Sequence, residues 1–374
     1  MTRPLSALRR PAVRGALLVV VLALLPLSAL TVPGVLPGSF ASAGSLQMLA
    51  VCLIFAAVAL SYDVLFGFTG LLSFGHALYF AVGVYVTAIA SAQWHWHLLP
   101  AGLLALAVGL VVAVLAGAVS LRVAGIFFAM VTLALAQAGS VLVVQDPLNV
   151  TGGEQGLSLD ASTLPDAFVG VQNTRNLYWL SLALAVVVYL VVRIVTTAPV
   201  GHVWAAIREN EQRVAVLGLR TYVFKLLAFV TGGLLATLSG IVYAVVLGGA
   251  SIGVTTADFT LTVLVMVVLG GSGVRWGAML GGFVYTLLAQ RLGTLADSDT
   301  IANLPGFLRV PLSQPLFMLG ALFVVVVLFL PGGFASLFRP RRAEGADEVT
   351  AENPQMRVVP TAHDDGPLLG QGRG

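Results

Sequence analysis

The sequence predicts an all-α, polytopic membrane protein with about ten transmembrane helices, and three observations lead there. Of its 374 residues, 58% are hydrophobic and 9% charged, with a mean hydropathy of +0.98; so apolar a chain cannot remain a soluble domain. Apolar runs of about 20 residues, enough helix to cross roughly 30 Å of hydrocarbon, recur along it. The cations gather at alternate ends of those runs.

Residues 1–14 form a basic, cytoplasmic N-terminus carrying Arg3, Arg9, Arg10 and Arg14 ahead of an apolar run from about Gly15 to Leu30. Ala41-Ser-Ala43 has the form of a signal-peptidase site. The long gap holding Pro33 and Pro37 favours an uncleaved first span over a cleaved signal. Further spans are expected at about 44–66, 74–93, 98–119, 124–144, 177–196, 225–248, 258–273, 277–294 and 314–331. The span at 258 is short and the next carries Gly277, Gly281 and Gly282, so the two could be a broken pair. Residues 15–333 thus make one transmembrane domain, and the polar stretch 334–374, without apolar period, reads as a disordered cytoplasmic tail.

Threaded from a cytoplasmic N-terminus, these spans place Arg122, Arg208, Arg213, Arg220, Lys225, Arg275, Arg339, Arg341 and Arg342 inside, with Arg193 close by. Arg175, Arg291 and Arg309 fall outside. Dropping one span would invert everything downstream, so the asymmetry supports the count and puts both termini in the cytoplasm. The loop 145–176, with Asp146, Glu154, Asp160 and Asp166, then faces outward. Scattered cations at span ends explain the pI near 9.2 better than a nucleic-acid partner does.

Cys52 is the single cysteine and lies in an apolar run, which leaves no disulfide and no thiolate cluster. Lys225, the single lysine, follows no glycine-rich phosphate loop. If ATP drives this protein, another chain hydrolyses it and this one binds no cofactor. No nucleophile–base–acid set or cofactor fingerprint points to an enzyme.

The longest charged island, in the cytoplasmic loop 197–224, runs from Pro199 to Lys225. Pro199 stops the preceding helix, Gly201 permits a turn, and Gly218 sits where a C-terminal cap belongs. Between them a short amphipathic helix is expected, with Trp204, Ile207, Val214 and Leu217 on one side and Arg208, Glu209, Gln212 and Arg213 on the other. Glu209 and Arg213 stand at i and i+4 in the supporting order. One face can rest on the protein while the other docks a partner; an ordinary positive loop is the competing reading.

Gly67, Gly70, Ser73, Gly75 and His76 join two spans at the same side, as an inner gate or as a tight hairpin. Gly270, Ser272, Gly273, Trp276 and Gly277 repeat the theme, either as a trace of two related halves or by chance in a chain with 41 glycines. Asp63 is acidic within an apolar span but close enough to its end to reach the interface. Thr132 and Gln137 could line a path or join helices. His95 and His97, beside Trp94 and Trp96, read as an interfacial anchor in preference to a metal site.

Five stretches, in order, resemble the branched-chain amino acid type of ABC-importer permease. They are Gly67-Phe-Thr-Gly-Leu-Leu-Ser-Phe-Gly-His-Ala77, Gly125-Ile-Phe-Phe-Ala-Met-Val-Thr-Leu-Ala134, Thr151-Gly-Gly-Glu-Gln-Gly-Leu157, Ala205-Ala-Ile-Arg-Glu-Asn-Glu211 through Ala215-Val-Leu-Gly218, and Leu264-Val-Met-Val-Val-Leu-Gly-Gly-Ser-Gly273. The resemblance implies a membrane-spanning subunit of the large ABC-importer permease type for branched-chain or related amino acids, working with ATP-binding subunits, a second homologous permease and an extracytoplasmic binding protein docking near 145–176. It also implies that Gly201, Trp204, Ala206, Ile207, Arg208, Glu209, Glu211, Arg213 and Gly218 couple to the ATPase. Gly67, Gly70, Ser73, Gly75, His76, Thr132, Gly270, Gly271 and Gly273 become the gate and path. At Asp63 an amide is more usual in the family, so no role carries over. Urea or short-chain amide importers use similar permeases and stay open as alternatives, with sugar importers and ion-coupled carriers further away.

Overall fold

The computed structural model describes residues 19–28, 38–296, 314–330 and 332–338. The basic segment 1–14, Arg309 and the tail beyond Phe338 lie outside the described residues. Ser42 caps the first long helix, its hydroxyl oxygen accepting from the Ser45 amide at 3.4 Å. That helix, α1 (Ala43–Asp63), runs into a π-helical turn, Val64–Phe68. There follow α2 (His76–Ala92), α3 (Leu98–Ser120), α4 (Ile126–Gln145), α5 (Thr174–Thr197) and α6 (Pro199–Val216). The remainder are α7 (Thr221–Leu247), α8 (Ala257–Gly270), α9 (Arg275–Ala296) and α10 (Pro315–Phe329).

Among the described residues, six helices are long and apolar enough to cross a membrane: α1 with its π-turn, α3, α4, α5, α7 and a segment beginning in α10. Two shorter apolar helices, α2 and α8, stand between them. Phe334–Phe338, expected to begin the disordered tail, forms a 3-10 turn, and Ala335 within it is buried.

A helix apolar on every side can sit in a core or face hydrocarbon, and this chain uses both. Of the apolar windows of α1 and α7, 83% and 72% are buried, against 22% for α3 and 28% for α4. So α1 and α7 form the centre, packed with α2, α5 and α9, while α3 and α4 present Leu103 and Phe127 outward. Gly240 makes the α7–α2 contact possible, since a Cβ there would collide with the Phe80 carbonyl. Phe80 then stacks on Phe259 at 4.7 Å and meets Tyr243 edge-on at 5.1 Å, locking α2, α7 and α8.

Successive long helices run in opposite directions, which collects the loops at two ends. At one end lies the segment 146–173, read from the sequence as a loop, in which β1 (Leu157–Ser158) pairs antiparallel with β2 (Gly249–Ala250), Leu157 opposite Ala250. Asp146 organises its start, with Oδ1 accepting from Val150 N at 2.7 Å and Thr151 N at 3.0 Å and Oδ2 from Gly152 N at 3.0 Å. Those N–H groups, that of Thr151 foremost, hold its carboxyl below the usual carboxylate range. Asp160 is held down likewise, chiefly by the Ser162 N–H, with His95 Nδ1 2.9 Å from its other oxygen. His95 therefore fastens this loop in addition to neighbouring the exposed Trp94 and Trp96.

Candidate coupling and gating site

The opposite end holds α6, the 69–75 loop and the 271–274 turn. The π-turn after α1 shifts the hydrogen-bond ladder, and Thr69 Oγ1 and Leu71 N close it on Val64 O and Leu65 O at 2.9 and 2.8 Å. Gly70, with φ +78°, then turns the chain out of helix. The loop is pinned on every side: Tyr62 Oη donates to Ser73 O at 2.9 Å, and Phe74 N donates to Thr132 Oγ1 at 3.0 Å. Gly75 offers no side chain to cap α2, so Thr260 of α8 accepts from Ala77 N at 2.9 Å instead. His76 is buried, its Nε2 2.9 Å from Ser61 Oγ and its ring edge-on to Tyr62 at 5.2 Å.

The second glycine stretch reaches the same place. α8 ends at Gly270, Gly271 and Gly273 take φ of +103° and +76°, and Gly273 N donates to both oxygens of Asp63 at 2.9 and 3.2 Å. A Cβ on Gly67 would collide with that carboxylate and with Gly273 N. The two stretches that read as a repeat are thus in contact, through the buried Asp63.

Helix α6 lies across this junction. Pro199 occupies its first turn, where a missing N–H costs nothing, and Gly201 is buried too close to the Thr196 carbonyl to admit a Cβ. Trp204, Ile207 and Val214 are buried, and Trp204 Nε1 donates to Phe224 O at 2.8 Å. Ala206, Glu209, Gln212 and Arg213 are exposed.

Two expectations are corrected here. Leu217 is 78% exposed, because the helix ends at Val216 and Gly218, at φ +82°, turns the chain away. Glu209 and Arg213 form no ion pair among the described residues. Asn210 between them is non-helical, at φ −161° and ψ 104°, and its Oδ1 accepts from Arg213 N at 3.0 Å to cap a separate second piece. Arg208 and Glu211 turn their charge onto their own chain: Arg208 Nη1 donates to Gly67 O, and Glu211 Oε2 lies 2.5 Å from Lys225 Nζ. Thr132 is occupied by Phe74 N and Ala129 O, whereas Gln137 is exposed on α4.

The site ties separate elements to one another. A polar helix is seated on its own protein by three apolar residues and is hydrogen-bonded to the π-turn that follows α1. One carboxylate connects that place to the turn where α8 ends. Two contacts escaped sequence reading: Thr260, because a threonine inside an apolar span carries no capping signal, and Asn210, although Asn three residues before Arg213 is an N-cap pattern.

Residues 44–327 match the family model described as branched-chain amino acid transport system / permease component. The chain is 28% identical over 326 residues to the high-affinity branched-chain amino acid transport system permease protein LivM of Salmonella typhimurium, covering 80% of this chain and 72% of that one. The Escherichia coli protein of the same name matches with the same figures. A probable branched-chain amino acid transport permease protein LivM of Methanocaldococcus jannaschii is 28% identical over 210 residues, 54% of this chain and 58% of its own. No solved structure matches.

Proposed function

The chain belongs to the permease-component family of branched-chain amino acid transport systems, and from that premise we propose that it is the membrane-spanning permease subunit of an ATP-driven importer. Its cargo is a branched-chain or related amino acid, as the names of its relatives suggest. ATP is hydrolysed by partner ATP-binding subunits, and this chain binds no cofactor itself. A second, similar permease completes the path, and an extracytoplasmic binding protein delivers substrate to the 146–173 end. The α6 end faces the cytoplasm.

The observation that carries this reading is the seating of α6. Trp204, Ile207 and Val214 are buried while Ala206, Glu209, Gln212 and Arg213 lie exposed, followed by Val216 and Leu217 at 86% and 78% exposure. A polar helix held this way, with apolar residues open at its end, suits a soluble partner better than it suits lipid. Closure of the two ATPases around ATP displaces α6. The 69–75 loop and the 271–274 turn follow, and Gly67, Gly70, Ser73, Gly75 and His76 with Gly270, Gly271 and Gly273 open the inner end of the path.

Uptake by proteoliposomes holding the assembled importer tests this. Leucine should accumulate only with ATP and the binding protein, and urea should not. ATP-driven uptake of urea without leucine contradicts the substrate reading, and uptake by this chain alone contradicts the importer.

A further inference from the structure

Asp63 is fully buried at the end of α1, where a carboxylate is costly unless it is paired. Its oxygens accept from Gly273 N at 2.9 and 3.2 Å, and Gly67 packs against them too closely to admit a Cβ. Arg208 in turn donates to Gly67 O, and a Cβ on Gly273 would stand 2.7 Å from Arg208 Nη1. Four pieces of chain therefore meet around one side chain: the end of α1, the π-turn that follows it, the 271–274 turn and α6. On its other side the turn is closed by Gly332–Ser336, with a Cβ on Gly271 only 2.9 Å from Ala335 Cβ. The Asp63 side is the one on which Arg208 connects the turn to α6.

We propose that Asp63 is a positioning residue of the transport cycle, the anchor through which a displacement of α6 reaches both glycine-bearing loops together. This rests on α6 being the helix that the ATPase moves. With Asp63 and Arg208 in place, Gly67 and Gly273 shift as one body and the ends of α1 and α8 move in step. Without either, α6 moves and the turn stays behind, so ATP is spent with less substrate carried.

The test compares wild type, Asp63→Asn, Asp63→Ala, Arg208→Met and the Asp63→Ala/Arg208→Met pair in the assembled importer. Leucine uptake and ATP hydrolysis are measured on the same proteoliposomes, and backbone hydrogen exchange on the same complexes. Leucine carried per ATP should fall about tenfold in Asp63→Ala and in Arg208→Met, with the pair no worse than either alone. Asp63→Asn, which keeps an acceptor for Gly273 N, should lose about threefold. Exchange should rise together in 200–210 and 268–276 in Asp63→Ala. A leucine-to-ATP ratio within about twofold of wild type, or fully additive losses, overturns the proposal. If Asp63→Ala is not inserted, Asp63→Asn and Arg208→Met decide by the same ratio. Wild type that carries no leucine sinks the substrate reading instead, and the exchange of the two segments then decides alone: rising together supports the anchor, unchanged or separate overturns it.

Discussion

The indole N–H of Trp204 donates to the Phe224 carbonyl at 2.8 Å, fastening α6 to the start of α7. Trp204 is fully buried, so the seat of α6 depends on this one side chain more than on its charges. Trp204→Ala should cost about 3–5 kcal/mol locally, and Trp204→Phe, which keeps most of the volume, about 1–2 kcal/mol through the lost hydrogen bond. Hydrogen exchange over 199–216 reads the order: wild type slowest, Phe intermediate, Ala fastest.

Thr260 caps a helix it does not belong to, accepting from Ala77 N at 2.9 Å. Thr260→Val keeps the shape and leaves that N–H unpaired in the interior, at a cost of about 1–2 kcal/mol. The thermal midpoint in detergent should drop by a few degrees, whereas Thr260→Ser should recover most of it. A valine variant as stable as wild type would contradict the remote cap.

Gly70 combines φ +78° with a side chain hard against it: a Cβ would stand 3.2 Å from Arg208 Cγ and 3.5 Å from Arg208 Cβ. Gly70→Ala should therefore cost about 1–2 kcal/mol from the left-handed conformation alone and push Arg208 off Gly67. Uptake of leucine should fall several-fold with the protein still inserted. The 3.5 Å spacing also lies within the range of a disulfide, and Cys52 is buried. Oxidised Gly70→Cys/Arg208→Cys should carry less leucine than the same variant reduced, which is itself below wild type because Arg208 is gone.

Much of the fold was legible because a membrane helix announces itself by length and apolarity. Each apolar run between 44 and 331 became a helix, and Pro199 and Gly218 marked the limits of α6. The site was legible as stretches but not as contacts. Nothing local to Asp63 tells that Gly273, 210 residues on, would supply its hydrogen bonds. Periodicity also misplaced Leu217 and paired Glu209 with Arg213, since it assumes an unbroken helix, and the side-chain cap of Asn210 breaks this one. The loop 146–173 had no apolar period to read, and its order comes from Asp146 and Asp160 bonding to nearby backbone N–H groups.

That loop carries a pH dependence with a definite sign. Asp146 and Asp160 both titrate below their usual 3.8 when folded, so the folded loop prefers their charged forms. Their contribution is complete above that value and is lost as the pH falls through the lower folded values. Limited proteolysis within 146–173 should be unchanged from pH 7 to about 5 and should accelerate only below about 3.8. Asp146→Ala should make the loop cleavable at neutral pH.

The most direct test of the account is capture of the ATP-binding subunit by the tagged chain, comparing wild type with Glu209→Lys/Arg213→Glu. Both residues are exposed on α6 and neither holds the helix to its seat. The ATPase should come down with wild type and be lost from the double variant, while hydrogen exchange over 199–216 stays at the wild-type rate. A double variant that keeps its ATPase and its full leucine uptake would make α6 a charged connector and not the coupling helix.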